Sequence, residues 1–277
     1  LYGSLALLFM IVLAIPMFGM RSGFPDAGGR PEGNTTRIAY DLTTEGFGAG
    51  ANGPFLVVVE MPNAGSVPAA NALSQKLAKT PGVATASPVI PGTPSVTPDG
   101  TTAIIQVQPT TGPQDQATSD LLENLRTNVI PTATAGTGLT AYVGGSTAVV
   151  DDFSQVLADA LPLFLAVVVG LGFLVLVLLF RSLVIPLTAA ATALLSFGAA
   201  LGITVFVFQW GYLTDIFGVT GTGPILPFLP IMLFSILFGL SMDYQVFLVS
   251  RMQEEWTRTK DNRTAVRRGL GGSGRVV

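Results

Sequence analysis

Four stretches of the chain are apolar almost without interruption, and what separates them is polar or alternating. Leu1–Phe18, Ala160–Phe180, Val184–Phe208 and Ile225–Ser250 each supply about 18 or more mostly apolar residues, close to the roughly 20 a helix needs to cross the hydrocarbon core. They are read as four transmembrane helices, at 1–18, 160–180, 184–208 and 225–250. The first lacks the basic flank and small-residue cleavage site of a secretory signal, so it too is read as a membrane helix.

Between the first and second of these, over residues 19–159, the period of the pattern changes. Pro54–Met61, Val83–Val89, Thr102–Gln108 and Leu139–Gly144 are short runs rich in β-branched residues and read as strands. Ala69–Lys79 and Gln114–Ile130 carry helical spacing. The resulting order, β-α-β-β-α-β over about 54–144, is that of a ferredoxin-like (split β-α-β) domain. Many unrelated activities use that arrangement, so by itself it assigns none. Gly19–Gly53 is rich in Gly, Pro and Thr and is expected to be a loop with little regular structure.

Composition fixes the class. Of 277 residues, 49% are hydrophobic and only 11% charged, which places the chain among integral membrane proteins. It holds no Cys and no His, which excludes disulfides, thiolate or imidazole metal sites and any Ser-His-Asp or Cys-His catalytic set. No metal or cofactor is expected, and proton handling must rest on Asp, Glu, Tyr, Lys or Arg. Charge is unevenly distributed: residues 19–159 hold 12 acids and 6 bases, residues 251–275 hold 7 bases and 3 acids. This is a signal of membrane topology, and no nucleic-acid partner is expected. Arg181 lies in the tight turn after the second helix, and the basic cluster follows the fourth. The positive-inside rule puts both in the cytoplasm, which leaves residues 19–159 extracytoplasmic and makes 251–277 a cytoplasmic amphipathic segment and linker.

One carboxylate breaks the apolar pattern. Asp243 sits inside Phe228–Ser250, where an Asp near the helix centre costs about 2.5–3.5 kcal/mol, and such residues usually mark an ion or proton path. The other reading is a polar contact that only joins two helices. Ser235, Gly239 and Asp243 recur every fourth residue and Phe247 continues the stripe, so they share a face. Small residues on such a face allow close packing, which makes Ser235 and Gly239 the packing face beside Asp243. Tyr244 follows about 100° further round, its hydroxyl free to meet a carboxylate on a neighbouring helix. An intramembrane aspartyl protease needs two such Asp residues close together, and only Asp243 lies in a predicted span.

Three further features read more plainly. Gly269–Gly274 matches G-x-G-x-x-G by letter, but a charged helix precedes it where a strand is required, so it reads as a linker. Arg251–Arg268 combines Met252, Trp256 and Val266 with several cations, in the manner either of an interfacial helix or of a solvated charged linker. Asp151, Asp152 and Asp159 read as the solvated start of the second membrane helix.

Ser196–Trp256, and above all Thr222-Gly223-Pro224-Ile225, Phe228-Leu229-Pro230-Ile231 and the run Phe238–Arg251 with Ser241-Met242-Asp243-Tyr244 inside it, resembles the mycobacterial membrane protein large (MMPL) family of the resistance-nodulation-division superfamily. The resemblance implies an α-helical transmembrane bundle with an inserted extracytoplasmic α+β ferredoxin-like porter domain, in the cytoplasmic (inner) membrane of a bacterium. It implies a secondary active transporter, no enzyme, that couples proton flow to export of lipids or other hydrophobic molecules. The implied partners are lipid-like cargo, protons and membrane lipids. Asp243 and Tyr244 match the proton-relay pair that the family carries in its second repeat. No other Asp-Tyr pair falls in a predicted span, and Tyr40-Asp41 has the reverse order and lies in the expected loop. The chain therefore reads as about half a transporter whose partner is the missing half with the other Asp-Tyr helix. The alternative is a non-transporting sensor or scaffold, or a protein-translocation relative, of the same architecture.

Overall fold

Uninterrupted apolar sequence produces long helices, and among the described residues four are long and apolar enough to cross a membrane. They are Tyr2–Gly19 (α1, Tyr2–Ala14, closed by a 3-10 turn), Ser146–Phe180 (α6), Val184–Gln209 (α7, Val184–Thr204, closed by a π turn) and Leu229–Thr259 (α9). The computed structural model describes residues 2–219 and 221–273. It divides into two compact units: Leu1–Arg21 with Leu157–Tyr212 and Pro227–Val277, and Ser22–Val156 with Leu213–Leu226.

The helical unit is held by aromatic packing. Phe234 of α9 is fully buried, with its ring centroid 5.2 Å from Phe197 of α7 and 5.2 Å from Phe238 one turn on. Phe164 of α6 meets it edge-on at 6.1 Å. Gly172 of α6 lies so close to Phe238 and Met242 that any Cβ there would overlap them. A second cluster joins Leu176 and Phe180 of α6 to Ala189 of α7 and to Val246 and Val249 of α9.

Two of these helices differ from their expected bounds, for stated reasons. α9 begins at Leu229 instead of Ile225, because Pro224 and Pro227 hold the residues before them extended; Pro230 fits the first turn. α6 begins at Ser146, well before residue 160. Its first turns belong to the sheet unit, where Ala148 is fully buried, and the helix simply continues into the apolar run.

In the sheet unit, period-two burial does the work. β1 (Phe55–Glu60), β2 (Val83–Ala86), β3 (Thr102–Pro109) and β4 (Thr140–Gly144) form one sheet of order β2-β3-β1-β4, every pair antiparallel. Phe55, Val57 and Val59 of β1 and Ala103, Ile105 and Val107 of β3 are all 0% exposed, as alternate residues of paired strands must be when one face is covered. The cover is α3 (Val67–Ala78), through Ala70, Leu73 and Leu77, and α4 (Gln116–Asn124) through Leu121 and Leu122. A π turn, Leu125–Val129, carries α4 into α5 (Ile130–Thr134).

The expected loop Gly19–Gly53 contains a helix, α2 (Thr35–Phe47). Local chemistry explains it. Asn34 caps the first turn by accepting from the Thr36 amide at 3.0 Å, and Arg37 pairs with Asp41 one turn on at 2.8 Å. Tyr40 therefore lies on a helix, and burial together with nearby Asp26 pushes its phenol up to about 12. Residues 213–226, with the short helix α8 (Thr214–Phe217), also belong to this unit. Ser22 and Ile225 form a parallel bridge, and the Gly23 amide donates to the Ile225 carbonyl at 3.0 Å.

The acids at the start of α6 are partly solvated, as expected, and Asp151 and Asp152 also hold partners from distant sequence. The Ser119 hydroxyl donates to Asp151 at 2.5 Å. Arg126, on the π turn, grips both oxygens of Asp152 and donates to the Val143 carbonyl at 2.8 Å. Arg126 holds the Asp152 carboxyl below the usual carboxylate range. A depressed carboxyl stabilises the fold above its unfolded pKa of about 3.9 and loses that contribution as pH falls through the folded value. The pair is part exposed, so its worth is at most about 1 kcal/mol. Asp152→Asn is expected to lower the melting temperature at pH 7 by roughly 2–4 °C, with the difference from wild type shrinking below about pH 4. Thermal melts at both pH values check this, and a gap that persisted in acid would assign the loss to packing.

Candidate functional site

Helical periodicity gives α9 two faces of different use. Phe234, Phe238, Met242, Val246 and Val249 fall on one side and pack against α6 and α7. Ser235, Gly239, Asp243 and Phe247 fall on the other and are all exposed within this chain. A Cβ on Gly239 would have nothing within 4 Å. The Ser235 hydroxyl donates back to the Ile231 carbonyl at 2.7 Å, satisfying itself within its own helix. Tyr244 is 50% exposed. Among the described residues neither the Asp243 nor the Tyr244 side chain has a hydrogen bond or ion pair.

The expected site residues therefore stand in line on one helix, and no second element of the chain is brought against them. The close approach expected at Ser235 and Gly239 is not made within the chain. Close approach occurs instead on the adjacent face, about 100° round the helix, where Gly172 meets Phe238 and Met242. Nothing in the sequence marked that glycine, which lies in an otherwise featureless apolar helix and shows its role only when its neighbour on α9 is known. Arg126 was equally hidden, since its partner is 26 positions away.

Chemically, a carboxyl group with a phenol beside it in sequence can exchange a proton. Among the described residues no group of three or more carboxylates converges.

The end of α9 is also built differently from the expected interfacial segment and linker. α9 runs on to Thr259, Lys260 closes it at a positive φ of 52°, and α10 (Asn262–Ser273) returns along it. Ala265 is buried in the seam, and Gly269 lies 2.7 Å, as measured from a hypothetical Cβ, from Met252. Asp261 caps α10 by accepting from the Thr264 amide at 3.0 Å and from its hydroxyl, which keeps the carboxyl low. Gly269–Ser273 is therefore helical, which suits neither a phosphate-binding loop nor the expected linker; Gly274 lies outside the described residues.

Four membrane-length helices and an α+β sheet unit between the first two define a membrane protein of the multispan class. Residues 32–277 match the MMPL family, and the chain belongs to that family. It is 44% identical over 272 residues to Membrane protein YdfJ of Bacillus subtilis, covering 98% of this chain and 36% of that one. It is 30% identical over 278 residues to the Mycolic acid-containing lipids exporter MmpL11 of Mycolicibacterium smegmatis, covering 98% and 28%. To the Heme uptake protein MmpL11 of Mycobacterium tuberculosis strain H37Rv it is 31% identical over 246 residues, covering 87% and 24%. The chain thus spans about a third of the length of the curated relatives it matches.

Proposed function

We propose that this chain forms part of a proton-driven exporter of lipids or other hydrophobic molecules, with Asp243 as the proton carrier and Tyr244 beside it. The observation that carries the reading is the position of Asp243: an acid on a membrane-length helix, on the face that the chain's own helices leave open. Each proton carried across the membrane is worth about 2.3 kcal/mol per 100 mV. Delivery then has to be tied to movement of the extracytoplasmic domain, for which the antiparallel β2-β3-β1-β4 order supports a ferredoxin-like porter reading. The open face is the surface on which the rest of a full-length transporter, with its own Asp-Tyr helix, meets this one. The name of the smegmatis relative supports lipid-like cargo, and that of the tuberculosis relative widens the class to amphipathic cofactors.

Two experiments test the reading. Proteoliposomes of the full-length protein, loaded with a pH-sensitive dye, should show cargo-dependent proton flux; their silence would favour a sensor or scaffold. For orientation, single cysteines at Thr101 and Thr257 can be introduced freely, since the chain has none of its own. An impermeant thiol reagent on intact cells should label only the first, and labelling only the second would reverse the topology.

A further inference from the structure

The helical hairpin of α9 and α10 encloses, with the turn between α6 and α7, a cavity of about 310 Å³. Its wall is apolar: Phe180, Ile185, Met252, Trp256, Ala265 and Val266 line it, with Gln253 and Asn262 the polar members. A volume of this size falls at the lower end of small-molecule sites. Phe180 is the last residue of α6, Ile185 stands in the first turn of α7 and Trp256 lies in the last turn of α9, so the cavity sits where apolar spans give way to polar sequence. Aromatic residues concentrate at that level of a bilayer.

The charges around it do not cancel. The three acids of the hairpin are engaged: Glu254 with Arg251 at 3.0 Å, Glu255 with Arg258 at 3.2 Å and Arg268 at 3.8 Å, and Asp261 with the first turn of α10. Four exposed cations remain that pair with no carboxylate among the described residues: Arg181, Lys260, Arg263 and Arg267. The Lys260 ammonium lies over a lining residue, 4.2 Å from the centroid of the Trp256 ring, and Arg181, Arg263 and Arg267 neighbour the lining residues Phe180, Asn262 and Val266 in sequence.

We infer that this cavity is a site for an anionic phospholipid, one acyl chain entering between Phe180, Met252 and Val266 while the phosphate is held by the unpaired cations. An apolar slot with a cationic rim is complementary to that amphiphile and to no soluble anion, because a free phosphate would leave the slot empty. Zwitterionic lipid lacks the net charge that four unpaired cations select. The site is separate from Asp243, and the inference holds whether or not the protein moves protons.

The chain has two tryptophans, and Trp210→Phe leaves Trp256 as the reporter. That variant is placed in phosphatidylcholine nanodiscs in which either phosphatidylglycerol or phosphatidylcholine carries brominated acyl chains. Brominated phosphatidylglycerol should quench Trp256 at a far lower mole fraction than brominated phosphatidylcholine. Removing two cations, as Arg263→Gln with Arg267→Gln, should raise the mole fraction required by about thirtyfold. Val266→Phe, which fills the slot, should abolish the preference while leaving all cations in place. Far-UV circular dichroism confirms the helix content of each variant, and Lys260→Gln replaces the double variant if the latter is misfolded. Coincident quenching curves for the two lipids, or an unchanged curve after loss of the cations, would overturn the site. Protection of Trp256 by millimolar inorganic phosphate would reassign it to a free anion and overturn it equally.

Discussion

Asp243→Asn in the full-length protein is expected to reduce proton-coupled transport to the level of protein-free vesicles while leaving membrane insertion intact. Asn has nearly the same shape and costs less to bury than a carboxylate, so the helix should insert at least as readily. What it lacks is a proton to exchange at any accessible pH. The two effects separate chemistry from packing. Because the Asp243 side chain is exposed and, among the described residues, makes no hydrogen bond or ion pair, the substitution removes no polar contact, and the isolated chain should melt as wild type does. Dye-reported proton flux, with the reconstituted amount checked by immunoblot, is the measurement. Transport at the wild-type rate would reduce Asp243 to a polar contact between helices and remove the relay.

A pair of glycine substitutions should give opposite outcomes for a geometric reason. Gly172→Leu places four carbons into space already held by Phe238 and Met242, and overpacking of this kind costs about 1–3 kcal/mol or more, so the isolated helical unit should lose stability. Gly239→Leu meets nothing within 4 Å and exchanges a poor helix former for a good one, so the isolated chain should tolerate it or gain slightly. In the full-length transporter the second change should be the damaging one, since the face it fills is where the remaining helices pack. Melting of the isolated chain and transport by the full-length variant are the two readouts. A full-length Gly239→Leu protein with normal transport would mean that this face meets lipid.

How much of this could be read from the chain follows from the range of the interactions involved. Membrane spans and buried strands are written in local patterns, and Phe55, Val57 and Val59, or the apolar run after Ala160, announce themselves without any partner. The Asp243 stripe was equally visible, since four residues at intervals of four need only helix geometry. Its exposure was not visible, because that depends on which side of α9 the neighbouring helices choose, and Phe234 and Phe238 could have served either side. Helix α2 was missed because Gly and Pro on both flanks outweighed a single Asn cap. The early start of α6 was missed because three acids in Asp151–Asp159 look like solvent, until Arg126 and Ser119 arrive from distant sequence. The α9–α10 hairpin was missed for the reverse reason: a glycine run that looks like a flexible tail is helical, and of its glycines Gly269 is the one that Met252 leaves no room to replace.

The bridge between Ser22 and Ile225 sets an order of events during synthesis. The sheet unit draws its last segment, residues 213–226, from the far side of two membrane spans, so it cannot be completed when its four strands have emerged. About eighty further residues must be translated and two helices inserted first, roughly 4–16 s at ordinary rates of chain growth. During that interval Ser22 and Gly23 wait without the Ile225 backbone that pairs with them, and any slowing of insertion of α7 lengthens the wait. Maturation of the sheet unit is thus timed by the membrane insertion machinery, and a protease arriving early would find its best substrate near residue 22.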